Sequence, residues 1–202
     1  MTNVRRIALT VATTGAALTA GLALAVGPGM TAAHADGTDT SKRTVRIVEG
    51  SPWVTLEEGD HGYRVAAAAC FLDYFDYHQG CDPETYEGAD FGPELTEAVK
   101  RYEAAKNLPE DGTIDAEVWN ELRNDVGEVK AGDGRKDIVR GIQHSLNVLG
   151  GEELTVDGIY GAGTEDAVER FQERKEIGVD GIVGPVTLRA MLASGAQAKG
   201  LG

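Results

Sequence analysis

Apolar residues recur at three- and four-residue steps along the second half of the chain. The clearest stripe consists of Ile138, Val139, Ile142, Leu146 and Leu149. This spacing places the five side chains on one face of an α-helix. The pattern predicts a helix from about residue 136 to residue 148, ended by the following pair of glycines at 150 and 151.

Two glycine-rich loops follow this helix, and each leads into a further apolar stripe. The first loop, VDGIYGAGT, closes on Thr164, whose hydroxyl is expected to cap a second helix that ends at Gly178. The second loop, VDGIVGPVT, places Pro185 in the first turn of a third helix that ends before Gly195. Three short helices therefore make up one unit.

The same unit occurs earlier in the chain. The segment FGPELTEAVKRYE, residues 91–103, aligns without a gap on YGAGTEDAVERFQ, residues 160–172. Val65 aligns on Val139, and five extra residues lengthen the first loop of the earlier copy. The duplication predicts an all-α fold of two tandem three-helix domains, at residues 56–126 and 127–194, followed by a flexible tail at 195–202.

The first 35 residues follow a different pattern. Two arginines precede an apolar run, which ends in the helix breaker Gly27-Pro28-Gly29 and the small-residue site Ala33-His34-Ala35. This order is typical of a secretory signal peptide cleaved after residue 35, and a retained membrane anchor is the alternative. We expect a secreted protein, extracellular or associated with the cell wall. Residues 36–55 are interpreted as a linker, extended at residues 44–48.

Charge narrows the range of partners. The chain has 33 acidic and 19 basic residues and a formal net charge of −14. Nucleic-acid binding requires a basic surface, and anionic wall polymers would be repelled. We therefore expect no nucleic-acid partner and any wall contact to be short-range and neutral. No other segment has the pattern of a membrane span, so no membrane partner is expected after signal cleavage.

The two cysteines, Cys70 and Cys81, both follow the predicted signal peptide. Because exported chains meet an oxidising environment, a disulfide is the favoured interpretation, with a catalytic thiol as the alternative. Closing so short a loop would stabilise the fold by roughly 2–3 kcal/mol. Cys81 lies in the lengthened loop, so the bond is expected to compensate for the small, alanine-rich stripe of the earlier copy.

The later copy resembles the peptidoglycan-binding domain family. The resemblance is carried by VRGIQHSLNVLG, VDGIYGAGTEDAVERFQERKEIG and VDGIVGPVTLRAML. In the earlier copy Ala69 and Glu103 stand where the family has glutamine, and Asp115-Ala116 replaces the family's Gly-Pro. The resemblance implies a three-helix fold, peptidoglycan as the partner and no cofactor.

Ligand contact is predicted at the two glycine-rich loops of the later copy. Helix starts there offer free backbone N–H groups, and Tyr160 is expected to supply a flat wall. The predicted contact residues are Asp157, Gly158, Tyr160, Gly161 and Thr164 on one rim, and Asp180, Gly181, Pro185 and Thr187 on the other. Tight turns, a helix cap and a helix-starting proline explain most of these residues equally well, so both interpretations stay open.

No pattern of catalytic or metal-ligating residues accompanies these loops. Outside the predicted signal peptide, His61, His78 and His144 occur without an HExxH or His-x-His motif, and the Asp-Gly loops lack a calcium-binding spacing. We predict no metal, no enzyme and a wall-binding function. The alternatives are a module that docks on a cell-wall hydrolase or another exported protein, and an enzyme with an unrecognised site.

Overall fold

The computed structural model describes residues 39–198, and these residues belong to one compact unit. This range contains seven α-helices and a short 3₁₀ helix at Glu87–Ala89. The α-helices are α1 (Lys42–Gly50), α2 (Tyr63–Tyr74), α3 (Pro93–Lys106), α4 (Ala116–Val126), α5 (Lys136–Gly150), α6 (Ala162–Arg174) and α7 (Pro185–Leu192). The signal peptide predicted at residues 1–35 lies outside the described residues, as do residues 199–202.

Helices α5, α6 and α7 form the predicted three-helix unit of the later copy. Helix α5 ends at Gly151, whose φ of 65° is the left-handed conformation that glycine adopts most easily, and α7 begins at Pro185 as predicted. The bounds of α6 correct two expectations. Its N-cap is Gly161, so Thr164 lies inside the helix, and α6 ends at Arg174 because Glu176 already has a left-handed φ of 54°.

The earlier copy consists of α2, α3 and α4 and repeats the backbone pairing of the later copy. Leu56 and Ile114 exchange both backbone hydrogen bonds, at 3.1 and 2.9 Å. Val129 and Val183 do the same in the later copy, at 3.0 and 2.9 Å. In both copies the segment before the first helix is thus tied to the loop before the third helix, as expected for a duplicated unit.

The segment predicted as an extended linker contains helix α1, so that prediction is wrong. The Ser41 hydroxyl accepts a hydrogen bond from the Thr44 amide at 3.0 Å and caps the helix. Thr44 and Val48 are both buried, and their separation of four residues matches a helical turn as well as it matches an alternating strand. The side-chain cap and the burial of this face against α7 outweigh the strand propensity of the β-branched residues.

Arg189 of α7 fixes this N-terminal segment to the later copy. Its Nε donates to the Val48 carbonyl at 3.1 Å and its Nη2 to the Ser51 carbonyl at 2.8 Å. The guanidinium also lies 4.4 Å from the centroid of the Trp53 ring. Residues 42–53 are therefore part of the folded unit.

The tail predicted to be flexible is packed against the fold as far as it is described. Lys175 Nζ donates to the Gly195 carbonyl at 3.1 Å and also to the Ala198 carbonyl. Ala196 is buried. The expectation of flexibility is therefore wrong for residues 195–198, because a buried lysine needs carbonyl oxygens to replace its lost water.

The two copies pack together through α2 and α5, and buried side chains of both belong to one hydrophobic core. A Cβ added to Gly141 would lie 3.1 Å from the Phe71 ring and 3.3 Å from the Ala67 Cα, so the helices cross at close range. Small residues on α2 permit this approach. They belong to a helix that is buried between both copies, so close packing against α5 gives the alanine-rich stripe a second explanation. The predicted disulfide between Cys70 and Cys81 is present.

Candidate ligand-binding site

Gln143 of α5 organises the first glycine-rich loop of the later copy. Its Nε2 donates to Asp157 Oδ1 at 3.0 Å, to the Ile159 carbonyl at 3.1 Å and to Thr164 Oγ1 at 3.2 Å. Its Oε1 accepts from the Gly158 amide at 2.9 Å. The Gln143 amide and the Ile159 backbone N–H both donate to the Asp157 carboxylate and lower its pKa. One buried amide thus satisfies four groups of the loop.

Gln172 of α6 repeats this arrangement in the second loop. Its Nε2 donates to Asp180 Oδ1 at 2.7 Å, to the Ile182 carbonyl at 2.9 Å and to Thr187 Oγ1 at 3.3 Å. Its Oε1 accepts from the Asp180 and Gly181 amides, both at 3.0 Å. We call the Gln143 and Gln172 networks the two glutamine clamps.

Tyr160 joins the two loops from inside the protein. Its ring is buried in the core, and its hydroxyl donates to the Gly181 carbonyl at 2.8 Å. Burial raises the pKa of this hydroxyl well above its ordinary value. The expectation that Tyr160 supplies an exposed flat wall is therefore wrong, because the ring fills the space between the loops.

The nine predicted contact residues fall into two groups. The structure brings them together around the clamps and the Tyr160 hydroxyl. The buried group is Gly158, Tyr160, Thr164, Gly181 and Thr187, and the group that reaches the surface is Asp157, Gly161, Asp180 and Pro185. The first group shapes the loops, while only the second group is accessible from solvent.

Two exposed apolar side chains at these loops are absent from the predicted set. Ile159 is 62 % exposed and Val179 is 49 % exposed. Each lies close to the aspartate of its loop in the sequence. The sequence does contain a signal for these two residues. Each is an apolar residue in a glycine-rich turn and outside any helical stripe, so the helix pattern does not require its burial. The clamp glutamines can also be recognised in the sequence, because each is a polar residue within or beside the apolar stripe of its helix.

The earlier copy has lost both clamps. In the alignment Ala69 takes the place of Gln143, and Leu95 takes the place of Thr164, so the first clamp is replaced by apolar contact. Glu103 takes the place of Gln172 and accepts from the Gly112 amide at 2.9 Å, as Gln172 accepts from Gly181. Burial raises the pKa of Glu103, and the neighbouring Asp111 carboxylate acts in the same direction, against the lowering effect of the hydrogen bond from the Gly112 amide.

A groove of about 620 Å³ lies where the two copies meet. Its walls come from residues 54–64, from the lengthened loop at residues 83–89 and from helix α5. Tyr86 and Val148 expose large side chains there. The sequence does not predict this groove, because it depends on the packing of α2 against α5.

Metal-binding groups and membrane-spanning helices are both absent among residues 39–198. Within this range no group of three or more histidine, cysteine, aspartate or glutamate side chains could hold a metal ion. The helices of the same range are too short or too polar to cross a membrane.

Residues 62–122 and 135–191 each match the model of a family described as a peptidoglycan binding domain. The two matches together cover more than half of the 202 residues. They coincide with the two three-helix units, including the copy without clamps. No curated protein matches the chain.

Proposed function

The chain belongs to the peptidoglycan binding domain family, and on this premise we propose that it is a secreted, non-catalytic protein that holds bacterial cell wall. The observation that carries the proposal is the double family match, at residues 62–122 and 135–191, on two units that share one core. Two sites in one protein increase the effective concentration of each for an insoluble polymer. A tandem chain therefore gains affinity without new contacts.

The surface group of the predicted residues supplies the contact in this proposal. Asp157 and Gly161 lie on the first loop, and Asp180 and Pro185 lie on the second. The glutamine clamps hold both loops in one conformation, so little conformational entropy is lost on binding. Ile159 offers an apolar surface between these polar groups, of the kind that packs on a sugar face.

Secretion is supported by the sequence pattern of residues 1–35 and by the disulfide. Disulfides persist in oxidising compartments, and Cys70 and Cys81 are bonded. The absence of a catalytic role is supported by the family, which is a binding domain. The net charge of −14 disfavours contact with anionic wall polymers, so the proposed contact is with neutral parts of the wall.

The test is sedimentation of the purified chain with isolated peptidoglycan sacculi. We expect the wild-type chain to pellet with sacculi and to stay in solution with cellulose. The variant Ile159→Asp changes an exposed side chain and adds a charge at the loop, so it should pellet less, while circular dichroism stays unchanged. A wild-type chain that remains in the supernatant with sacculi would refute the proposal. Recovery of protein partners without wall material would favour the docking alternative.

A further inference from the structure

The earlier copy is the first domain of the protein and the later copy is the second domain. The groove between them has the chemistry of a sugar-binding site. We propose that it binds an N-acetylated sugar unit of the glycan strand, with the sugar ring stacked on Tyr86. This inference rests on the proposed function and adds to it the place and the moiety. It concerns residues outside the loops of the second domain.

Tyr86 provides the flat surface that a sugar ring requires. The residue is 70 % exposed and lines the groove. One face of the ring is covered by His61, with the centroids 4.5 Å apart and the planes inclined by 27°. This stacking fixes the ring, so a ligand meets a surface that is already oriented.

The loop that holds Tyr86 is rigid for identifiable reasons. The disulfide ties Cys81 to helix α2, and the Cys81 amide donates to Asp73 Oδ2 at 2.7 Å. Further along, Thr85 Oγ1 donates to the Asp82 carbonyl at 2.9 Å. The disulfide thus fixes the start of the loop that presents the aromatic ring.

The second domain contributes an apolar side chain and a histidine to the lining of the groove. Val148 of α5 lines the groove and is 48 % exposed. A methyl group of an acetamido substituent is the part of the glycan that gains from such a contact. His144, one turn earlier on α5, also lines the groove and adds a ring nitrogen for hydrogen bonding.

The charges of the lining favour a neutral sugar over the acidic stem peptide. Asp60 and Glu84 line the groove and repel carboxylates. The lining contains one arginine, Arg64, and its guanidinium already donates to the Leu192 carbonyl at 2.7 Å and to the Ala193 carbonyl at 3.0 Å. A peptide carboxylate would therefore be repelled by the two acidic side chains, and Arg64 already donates to carbonyl groups of the protein.

The groove exists because of two features that distinguish the first domain. The lengthened first loop, with five more residues than in the second domain, carries Tyr86. The packing of α2 against α5 brings Val148 into the lining of the same groove. The site is composite, so the isolated domains should lack it even if each folds.

The test compares the full chain with three single variants, using N,N′,N″-triacetylchitotriose as the probe and isothermal calorimetry as the readout. Tyr86→Ala should weaken binding about five- to tenfold, the loss expected for one stacked ring. Val148→Asp, in the part of the lining that the second domain contributes, should weaken it to a similar degree. Tyr74→Ala removes another exposed tyrosine, 39 % exposed and outside the groove, and should leave affinity within about twofold.

Unchanged affinity in Tyr86→Ala would overturn the inference, and so would wild-type binding to the free stem peptide without binding to the sugar. A chain that pellets with sacculi but ignores triacetylchitotriose would also overturn it, while leaving the proposed wall binding intact. A chain that fails to pellet with sacculi contradicts the proposed function itself. The two failures are therefore distinguishable.

Discussion

Glu103 occupies the position that Gln172 holds in the second domain, and the substitution Glu103→Gln tests what this exchange costs the protein. The carboxyl group is only 1 % exposed and accepts a hydrogen bond from the Gly112 amide. A carboxylate can accept but cannot donate, whereas Gln172 both accepts from Gly181 and donates to Asp180. Glutamine at position 103 would keep the bond from the Gly112 amide and add the donating half of the clamp.

The protonation of Glu103 determines whether the free energy of unfolding rises or falls with pH. Burial raises the pKa of Glu103 above its ordinary value of 4.5; the hydrogen bond from the Gly112 amide acts against this, and the negative charge of Asp111 adds to it. The folded state therefore holds a proton more tightly than the unfolded state does. Linkage then requires the free energy of unfolding to fall as pH rises from about 4.5 through the raised pKa of the folded state. Below that window the protonated carboxyl can donate to Asp111, as the amide of Gln172 donates to Asp180.

The magnitude follows from the contacts of Gln172. At pH 7 the variant gains one charge-assisted hydrogen bond to Asp111, equivalent to the 2.7 Å bond from Gln172 to Asp180. It also removes a buried carboxylate that lies beside another carboxylate. Together these changes should raise the free energy of unfolding by about 1–2 kcal/mol. For a protein of this size that corresponds to an increase in Tm of roughly 2–8 °C.

The assay is urea denaturation of wild type and variant at pH 7 and at pH 4. The stabilisation should be largest at pH 7 and nearly absent at pH 4, where wild-type Glu103 is protonated. The matched control is Gln172→Glu in the second domain, which should lower stability by about 2–4 kcal/mol at pH 7 and introduce a new pH dependence. Equal stability of Glu103→Gln and wild type at pH 7, or a gain that is the same at both pH values, would contradict this reasoning.

Three further predictions concern stability and are checked by urea denaturation. Gln143→Ala leaves four loop groups without their buried partner and should cost about 2–4 kcal/mol; a loss below about 0.5 kcal/mol would show that water replaces the amide. Gly141→Ala should destabilise by about 1 kcal/mol because the new Cβ meets helix α2, whereas Gly163→Ala, whose Cβ meets nothing nearer than 4.0 Å, should stabilise by about 0.5–1 kcal/mol. Reducing the disulfide between Cys70 and Cys81, which closes a loop of sequence separation 11, should cost about 3 kcal/mol; no change in the urea midpoint would count against the chain-entropy argument.

Local patterns are sufficient to predict the second domain. Its apolar stripes recur at helical spacing, and Gly151 and Pro185 mark the end of α5 and the start of α7. The duplication then extends the prediction to α2, α3 and α4, where the stripes are less regular. These signals are local because helix periodicity, glycine conformation and proline geometry act within a few residues.

The features that escape prediction depend on contacts distant in sequence. The pattern of residues 44–48 favours an extended segment, whereas the helical state of α1 is stabilised by Arg189, about 140 residues later. Similarly, the alanines of α2 do not by themselves indicate close packing. Their role becomes clear from the structure, in which α5 lies against them. Residue pattern alone cannot distinguish a small side chain that weakens a core from one that admits a neighbouring helix.

The sequence predicts the candidate site as a region more accurately than as a set of contacts. It identifies both glycine-rich loops, but it does not show whether Tyr160 lies at the surface, because an aromatic residue in a loop suits either role. The ring is buried in the core between two loops that are separate in sequence, and its hydroxyl donates to the Gly181 carbonyl. Ile159 is not singled out by its residue type, because apolar residues are normally expected inside.

The divergence of the first domain is best explained by its position against the second domain. Where Gln143 organises a loop in the second domain, the first domain has Ala69 and a longer loop that carries Tyr86. Where Gln172 both accepts and donates in the second loop, Glu103 acts as an acceptor for the Gly112 amide. A domain folding alone would need both clamps, whereas the first domain gains a shared core through α2 and a disulfide. That additional stability permits the loss of the clamps, and the altered loop then forms a wall of the groove that neither domain builds alone.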